Sequence, residues 1–595
     1  MWGMTDTQTS PPSPESPVLS ARLDDSDPPW SMRPWIMAGI CAVAGLAFHL
    51  ATGTRFGTGH DPARDATATF IMVSTLVFVL GVERRRWHWA AGFALLWGAV
   101  IALIVWTSAG YNVGGSPFEW PFWSGILAVL VATPLFRTRR DVAPDWRFWR
   151  LWQMPYERLH SHAWTDAVIG AAGLAFTGLT FLLVILIGQM FKLIGINLIF
   201  DLLNDEWFGW MLAGAAFGGA VGLLRERDKL VSTLQRLVMI VLAVLAPVLA
   251  AALVIFLLSL GGTGLQKLWD SGFSTAALMM ASAAFAVLLA NAVIGNGREE
   301  RSGNALLHGA AAVLVAAVLP LAIIAFYSMH LRVIQYGWTP ERIWGVIAAM
   351  IALAYGVAGV WAALTGRLDF DDVLRPLQQK LAIGLMLLAT FLALPILDFG
   401  AIATRDQLAR LNAGTVKAEK FDWSALAFDF GPEGRTALAS LAKSPDKAHA
   451  NLAAWALKAK DRWELNSAYG EAGGSDVTFA AKAIKDKVRV LPVGTALPPE
   501  AYAALDTRGE CKIAPCIAYR LDAGRIVVIS RGSTIGLFVR DPKTAAWAED
   551  YEVFRPGGAS ASLTIDEIEH AAVEVRTVSR RQVFVNGKPV GEDFE

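Results

Sequence analysis

The densest group of chemically capable side chains lies in residues 145–166, which read DWRFWRLWQMPYERLHSHAWTD. Trp146, Trp149 and Trp152 recur every three residues, so they would lie along one side of a helix. Tryptophan rings favour the boundary between lipid and water, where guanidinium groups meet lipid phosphates. The pattern therefore predicts a helix at a membrane surface, in preference to a nucleic-acid contact. The headgroup contacts predicted in this segment are Arg147, Arg150 and Arg158.

Two histidines and a carboxylate follow within the same segment. His160, His162 and Asp166 have the spacing H-x-H-x3-D, which could ligate a metal ion. No fourth ligand is visible nearby, and the alternative is that these side chains cap the next helix and contact headgroups. Thr165 or Asp166 would then be an ordinary N-cap. The capping interpretation is favoured, and we predict no metal site.

A second segment with polar chemistry, LRVIQYGWTPERIWG, covers residues 331–345. Gly337 permits a turn, and Thr339 can cap a helix that starts at Pro340, with Glu341 strengthening its first turn. One interpretation is a shaped turn between two helices. The other is a pocket for an anion or a lipid headgroup, formed by Arg332, Tyr336 and Arg342.

Three cysteines are present, two of them close together in GECKIAPCIAY. Cys511 and Cys516 are separated by four residues that include Pro515, and a tight turn there could bring the two cysteines within disulfide range. A disulfide is favoured if this region lies in an oxidising compartment. Two unlinked thiols and a metal site are the alternatives. Cys41 lies in an apolar run and is expected to pack there.

Few polar residues lie inside the apolar runs. The four that could form an intramembrane polar site are His49, Gln189, Asn291 and His308. They suffice for hydrogen bonds between helices, and a cavity lined by them would instead support transport.

Small residues also recur at a regular spacing. Gly214, Gly218 and Gly222 recur every four residues, which predicts a groove where another helix approaches closely.

The sequence lacks the common catalytic signatures. It contains no P-loop, no G-x-S-x-G, no H-E-x-x-H and no dinucleotide-binding fingerprint. We therefore predict no catalytic residue and no cofactor, and an enzymatic role is disfavoured.

The composition of the whole chain indicates the domains that must position these residues. Of 595 residues, 54% are hydrophobic and only 17% are charged, with a net charge of zero. This excludes a disordered chain, a disulfide-dense secreted module and a nucleic-acid binder driven by charge. Residues 400–595 hold 26 of 52 Lys and Arg and 26 of 52 Asp and Glu, so half of the charge lies in a third of the chain. We predict a disordered tail at 1–33, a multi-span domain at 34–400 and a soluble domain at 401–595.

The apolar runs are long enough to cross a bilayer, which needs about 20 residues per helix. We count about eleven, at 34–52, 66–82, 89–107, 121–136, 166–191, 207–224, 237–258, 273–294, 305–327, 343–365 and 381–399. The predicted fold is an all-α polytopic bundle.

The orientation follows from Lys and Arg in the connecting segments. With the N-terminus inside, the inner segments hold twenty of them and the outer loops hold six. We therefore expect a cytoplasmic N-terminus and, with an odd number of spans, an external C-terminal domain. In a bacterium with two membranes that compartment is the periplasm.

The C-terminal domain is predicted to be α+β. Its first part shows helical spacing at Leu452, Ala456, Ala459 and Trp463. After Gly473 and Gly474 come short strand-like runs, at 488–493, 517–521, 525–530, 535–539, 571–578 and 582–586.

The two polar segments and the multi-span plan together resemble an uncharacterised family of bacterial inner-membrane proteins, domain of unknown function 4153. YERLHSHAWTD and YGWTPERIW carry the resemblance. It implies a polytopic membrane protein of the bacterial inner membrane, and no activity, cofactor or site residue.

Three function classes follow. The first is a non-enzymatic envelope protein whose C-terminal domain binds a periplasmic protein or envelope ligand. The second is a transporter of a small or lipidic solute, and the third is an enzyme acting on a lipid-linked substrate. The expected partner in each is the lipid bilayer.

Overall fold

The computed structural model divides the chain into two compact units, Met1–Ala454 and Trp455–Glu595. The residues that it describes are 30–53, 61–108, 116–142, 154–270, 274–418, 421–459, 462, 465, 485, 488–507, 516–530, 534–541, 547–549, 581–585 and 588–594. Residues 1–29 of the tail predicted at 1–33 and the tryptophans at 146–152 lie outside these residues. The boundary at residue 400 stays a prediction about where the membrane part ends.

The first unit is built from helices. They are α1 (Arg33–Thr52), α2 (Pro62–Gly81), α3 (Trp87–Thr107), α4 (Ser116–Val142), α5 (Tyr156–Leu193), α6 (Leu198–Asn204), α7 (Glu206–Arg225), α8 (Asp228–Thr263), α9 (Gln266–Asp270), α10 (Thr275–Ile294), α11 (Ala305–Tyr336), α12 (Pro340–Gly366), α13 (Phe370–Ala393), α14 (Phe399–Asn412), α15 (Trp423–Phe428), α16 (Gly431–Leu441) and α17 (Lys447–Lys458), the last of which crosses the division between the units.

Ten stretches of the described residues are long and apolar enough to cross a membrane. The last of them, Pro340–Ala393, has 54 residues and as one helix would be about 80 Å long, far more than a bilayer core of about 30 Å. A 3₁₀ turn at Arg367–Asp369 divides it into α12 and α13. The predicted runs coincide with helices, except that α13 ends at Ala393, six residues before the end of the run at 381–399. The predicted polytopic helical fold is confirmed.

Hydrogen bonds and ion pairs show which helix ends lie together. We call the end of the bundle where α1 begins the first end, and the opposite end the second end. At the first end, Arg33 contacts Val82 and Glu226, which lie beyond α2 and α7. Arg375 near the start of α13 donates to Ile294 O at the end of α10 at 2.8 Å. The described parts of the Lys- and Arg-rich connecting segments, which were predicted to lie on the inner side, therefore meet at the first end.

The glycines predicted to form a groove lie against α1. A Cβ on Gly218 would approach Met37 O to 2.3 Å, and one on Gly214 would approach Cys41 O to 2.1 Å. Gly222 has the same relation to Pro34. The backbones of α1 and α7 are thus in direct contact, which only glycine permits.

Two apolar cores share α13. One lies among α8, α10, α11 and α12, with Phe370 and Leu374 of α13. The other lies among α2, α3 and α4, with Ala389 and Ala393 of α13. Ser124 Oγ on α4 donates to Ala389 O at 3.0 Å. The α4–α13 pair therefore connects the two cores.

The second unit carries a small sheet. Its strands are β1 (Val488–Leu491), β2 (Cys516–Arg520), β3 (Arg525–Ser530), β4 (Thr534–Arg540) and β5 (Trp547–Glu549), in that order, with a separate pair of β6 (Arg581–Val585) and β7 (Lys588–Phe594). Only β1 and β2 pair in parallel, and α18 (Pro499–Thr507) contributes Ala501, Tyr502 and Leu505 to the core beside the sheet. The α+β prediction is confirmed. The predicted run at 571–578 lies outside the described residues.

Substitution Gly218→Ala should destabilise the first unit by about 1–3 kcal/mol, because the new methyl group forces α7 away from α1. Thermal unfolding of the detergent-solubilised protein measures this loss. Gly219→Ala is the matched control, since a Cβ there meets Ala38 Cβ at an ordinary 3.5 Å. Equal melting temperatures for the two variants would contradict the close packing.

Candidate functional site

A large cavity opens at the second end between α4, α10, α11, α12 and α13. Its volume is about 680 Å³, within the range typical of small-molecule sites. Most of its wall is apolar, with residues such as Leu127, Met280, Ile351 and Leu388. We call it the second-end cavity.

Charged residues stand at one side of this cavity. Arg332, Glu341 and Arg342 all line it, and Arg332 and Glu341 are exposed. Arg332 and Arg410 lie within electrostatic range of Arg342. With Asp406 of α14, which contacts the same turn, three guanidinium groups lie near two carboxylates, and the local charge is positive.

The turn between α11 and α12 fixes one of these guanidinium groups. Arg342 Nη1 donates to Tyr336 O at 3.0 Å and to Gly337 O at 2.7 Å. Its guanidinium also lies over the Tyr336 ring, 5.4 Å from the ring centre, where a cation–π attraction acts. Arg342 is therefore held in place, whereas Arg332 can turn toward a ligand.

The local sequence explains this turn. Gly337 adopts a φ of 76°, and Thr339 caps α12 by accepting from Arg342 N at 3.4 Å, both as predicted. Helix α14 then holds the turn from outside. Asp406 accepts from Trp338 N at 2.8 Å, and Gln407 donates to Tyr336 O at 2.9 Å.

Aromatic rings surround the cavity beside the charges. Trp120 on α4 stacks on Trp344 of α12, with ring centres 5.7 Å apart. Phe399 meets Trp344 edge-on at 5.4 Å. Trp123 lines the cavity and is 59% exposed. Tryptophans near the ends of membrane spans are typical of the boundary between lipid and headgroups.

The arrangement suits an amphiphile with a negative headgroup. Apolar walls can take an acyl chain, and guanidinium groups bind phosphate or carboxylate through charge-assisted hydrogen bonds. No group of His, Cys, Asp and Glu among the described residues could hold a metal ion.

The first end has a different chemistry, because many of its charges are buried and paired with each other. Asp166 accepts from Arg137 and from Arg225, the latter at 3.1 Å, and the three side chains are 12%, 8% and 7% exposed. The predicted helix start at Thr165 or Asp166 is wrong. Helix α5 begins nine residues earlier than Thr165, at Tyr156 after Pro155, so Asp166 lies inside the helix and faces these arginines.

Two further carboxylates, Glu83 and Asp141, lie beside this group. Arg140 pairs with Glu83 and, at 3.2 Å, with Asp141. His162 Nε2 lies 3.0 Å from Asp141 Oδ2. Arg158 Nη1 donates to Asp141 O at 3.4 Å, so this predicted headgroup contact faces protein. Buried charges in a bilayer are stable only when paired in this way.

The other half of the first end repeats the pattern. Arg375 lies 2.7 Å from Asp371 and 3.0 Å from Asp372. Arg298 Nε donates to Asp372 at 2.8 Å, and this hydrogen bond raises the pKa of Arg298 above its ordinary value. Tyr156 OH donates to Gln378 Oε1 at 3.0 Å, which connects α5 to α13.

The predicted intramembrane polar residues are not brought together. His49 Nδ1 lies 3.8 Å from Glu206 at the second end, and His308 Nε2 lies 2.8 Å from Leu368 O at the first. Gln189 is exposed on α5, and Asn291 is half-buried on α10. None of the four lines the second-end cavity.

The remaining predicted residues divide between described and undescribed parts. Arg147, Arg150 and Cys511 lie outside the described residues. Cys516 is disulfide-bonded and buried in β2, and its pairing with Cys511 stays a prediction. Cys41 is free and buried, as expected.

Sequence reasoning singled out Arg332, Tyr336 and Arg342 but missed their neighbours. Trp120 and Trp123 carry a usable signal, since tryptophans near the start of a span mark the lipid boundary. The carboxylates of the first end also carry a usable sequence signal, because Glu83 and Asp141 each adjoin arginines at the end of a span.

The family model described as Domain of unknown function (DUF4153) matches residues 67–441, well over half of the chain. The chain belongs to this family. The match covers both ends of the bundle from α2 onward, including the second-end cavity. The chain matches no curated protein and no solved structure.

Asp166→Asn should destabilise the first unit by about 3–5 kcal/mol, because it leaves two buried arginines without their carboxylate. Unfolding in detergent or in nanodiscs measures the effect. Asp446→Asn removes an exposed carboxylate that lies 3.4 Å from His449, so it should change stability by no more than about 0.5 kcal/mol. Similar effects of the two substitutions would show that the first-end ion pairs do not hold the bundle.

Proposed function

We propose that this member of the DUF4153 family is a non-enzymatic protein of the bacterial inner membrane that binds an anionic amphiphile in the second-end cavity. The observation that carries the proposal is the combination of a cavity of about 680 Å³ with Arg332 and Arg342 at its rim. A phospholipid headgroup on the arginines, with an acyl chain along the apolar wall, uses both features.

The proposed orientation places this cavity in the outer leaflet. Connecting segments rich in Lys and Arg are retained in the cytoplasm, and the described ones meet at the first end. The second end then faces the periplasm. Helix α14, which precedes the second unit in the chain, lies at this same end because it holds the α11–α12 turn.

The C-terminal unit fits this orientation as a binding or sensing domain outside the membrane. A disulfide at Cys516 is expected of an oxidising compartment and is rare in the cytosol. We propose that the unit recognises a periplasmic protein or an envelope ligand.

Arg332→Gln should weaken binding of phosphatidylglycerol at least about 10-fold, because a charge-assisted hydrogen bond contributes about 1.5–3 kcal/mol. Native mass spectrometry of the protein titrated with this lipid in detergent measures the affinity. Arg332→Lys should recover part of it. Arg405→Gln is the matched control, since Arg405 is exposed on α14, is absent from the cavity lining and carries the same charge.

A second pair of variants tests the acyl-chain part of the same cavity. Ala348 lines it and is exposed, whereas Ala354 is exposed on the same helix and does not line it. Ala348→Phe should reduce binding of the lipid and Ala354→Phe should not. Equal affinity of wild type, Arg332→Gln and Ala348→Phe would contradict the proposed function.

The orientation has its own test. A fluorescent reporter that matures only in the cytosol should stay dark when fused after Glu595 and should fluoresce when fused before Met1, because the two termini are expected on opposite faces. Fluorescence of both fusions in whole cells would overturn the proposed topology.

A further inference from the structure

The rim of the second-end cavity carries a carboxylate as well as arginines. Glu341 lines the cavity together with Arg332 and Arg342. It lies in the first turn of α12, next to Pro340, where the helix dipole favours a negative charge. An acid in a first turn stabilises its helix wherever the side chain points, so this role does not account for the place of Glu341 in the cavity lining.

Polar groups at this rim remain available to a ligand. In the described part of the chain, neither the Arg332 guanidinium nor the Glu341 carboxylate forms a hydrogen bond or a close ion pair, although both lie within electrostatic range of Arg342. Arg342 uses only Nη1 to donate to the carbonyl oxygens of the turn, so its other guanidinium nitrogens can donate elsewhere. The rim thus offers two groups of donors and one charged acceptor.

Two hydroxyl groups extend the polar part of the lining. Ser274 precedes α10 without capping it through its side chain, and it is exposed and lines the cavity. Thr339 also lines the cavity and accepts from Arg342 N, which leaves its hydroxyl hydrogen free to donate. A hydroxyl group of a ligand can therefore both donate and accept at this rim.

The charges of the lining indicate which kind of donor suits Glu341. Two guanidinium groups and one carboxylate leave a single net positive charge, which a phosphodiester matches. Glu341 would repel that phosphate unless the headgroup also supplied it with a donor. An ammonium group would cancel the charge of the phosphate, whereas a hydroxyl group donates and leaves that charge in place.

We propose that the amphiphile in the second-end cavity has a polyol headgroup, whose phosphodiester binds Arg332 and Arg342 and whose hydroxyl group donates to Glu341. This inference rests on the proposed function and adds Glu341 to it as the residue that determines headgroup specificity. Phosphatidylglycerol is a simple lipid of this class.

Two lipids of equal charge test the inference. Phosphatidylglycerol and phosphatidylpropanol have the same number of headgroup carbons, but the second has no headgroup hydroxyl. Native mass spectrometry of the full-length protein, titrated with each lipid in detergent, measures both affinities. Phosphatidylglycerol should bind at least about 5-fold more tightly, because its hydroxyl forms a hydrogen bond to a charged group. Equal affinities, or tighter binding of phosphatidylethanolamine than of phosphatidylglycerol, would overturn the inference.

Variants of the carboxylate identify its part in this preference. Glu341→Leu should bring the affinity ratio of the two lipids close to one, because leucine accepts no hydrogen bond. Glu341→Gln keeps a neutral acceptor and should give an intermediate ratio. Glu433→Leu is the matched control and should keep the wild-type ratio, since Glu433 is an exposed acid in the first turn of α16 and does not line the cavity. A purely structural role of Glu341 would weaken both lipids equally, and an unchanged ratio in Glu341→Leu would contradict the inference.

The same titrations separate this inference from the proposed function. Ala348→Phe blocks the acyl-chain part of the cavity and should weaken both lipids alike. If it does so while the wild type binds the two lipids equally, the proposed function stands and the polyol specificity is wrong. If Ala348→Phe changes neither affinity, the proposed function is wrong and the inference is wrong with it.

Discussion

A polar group surrounded by hydrocarbon has no water to bind, so it must find its partner within the protein. This constraint accounts for most of the first unit. Backbone groups are satisfied by long helices, and the charged side chains of the ion pairs described above lie toward the two ends of the bundle. At the first end the charged side chains find partners on helices that are far apart in sequence: Arg33 pairs with Glu226, and Arg375 donates a hydrogen bond to Ile294 O.

The two ends of the bundle meet this constraint in different ways. At the first end, buried carboxylates neutralise many of the arginines, and the resulting ion pairs join neighbouring helices. At the second end, Arg342 is bound to carbonyl oxygens of a turn, and Arg332 is exposed beside an apolar cavity. The cavity is lined by these two arginines and one carboxylate, Glu341, which makes an anionic headgroup the natural complement.

The sequence predicted the helical plan because apolar runs of about 20 residues rarely form anything other than a membrane-spanning helix. It also predicted the Gly337 turn, the Thr339 cap and the strand at 525–530, whose signals are local. It misplaced the start of α5, since Asp166, one of the two residues expected to cap a helix there, pairs instead with Arg137 of α4 and Arg225 of α7. The sequence could not predict the second-end cavity, because residues from five helices form it and no local pattern specifies how those helices pack.

The proposed lipid site is tested most directly by electron cryomicroscopy of the protein extracted with its native lipids into nanodiscs. We expect elongated density along α12 in the second-end cavity, ending in a headgroup within hydrogen-bonding distance of the Arg332 guanidinium. A map in which side chains fill that cavity, or in which lipid lies elsewhere and Arg332 points into water, would contradict it.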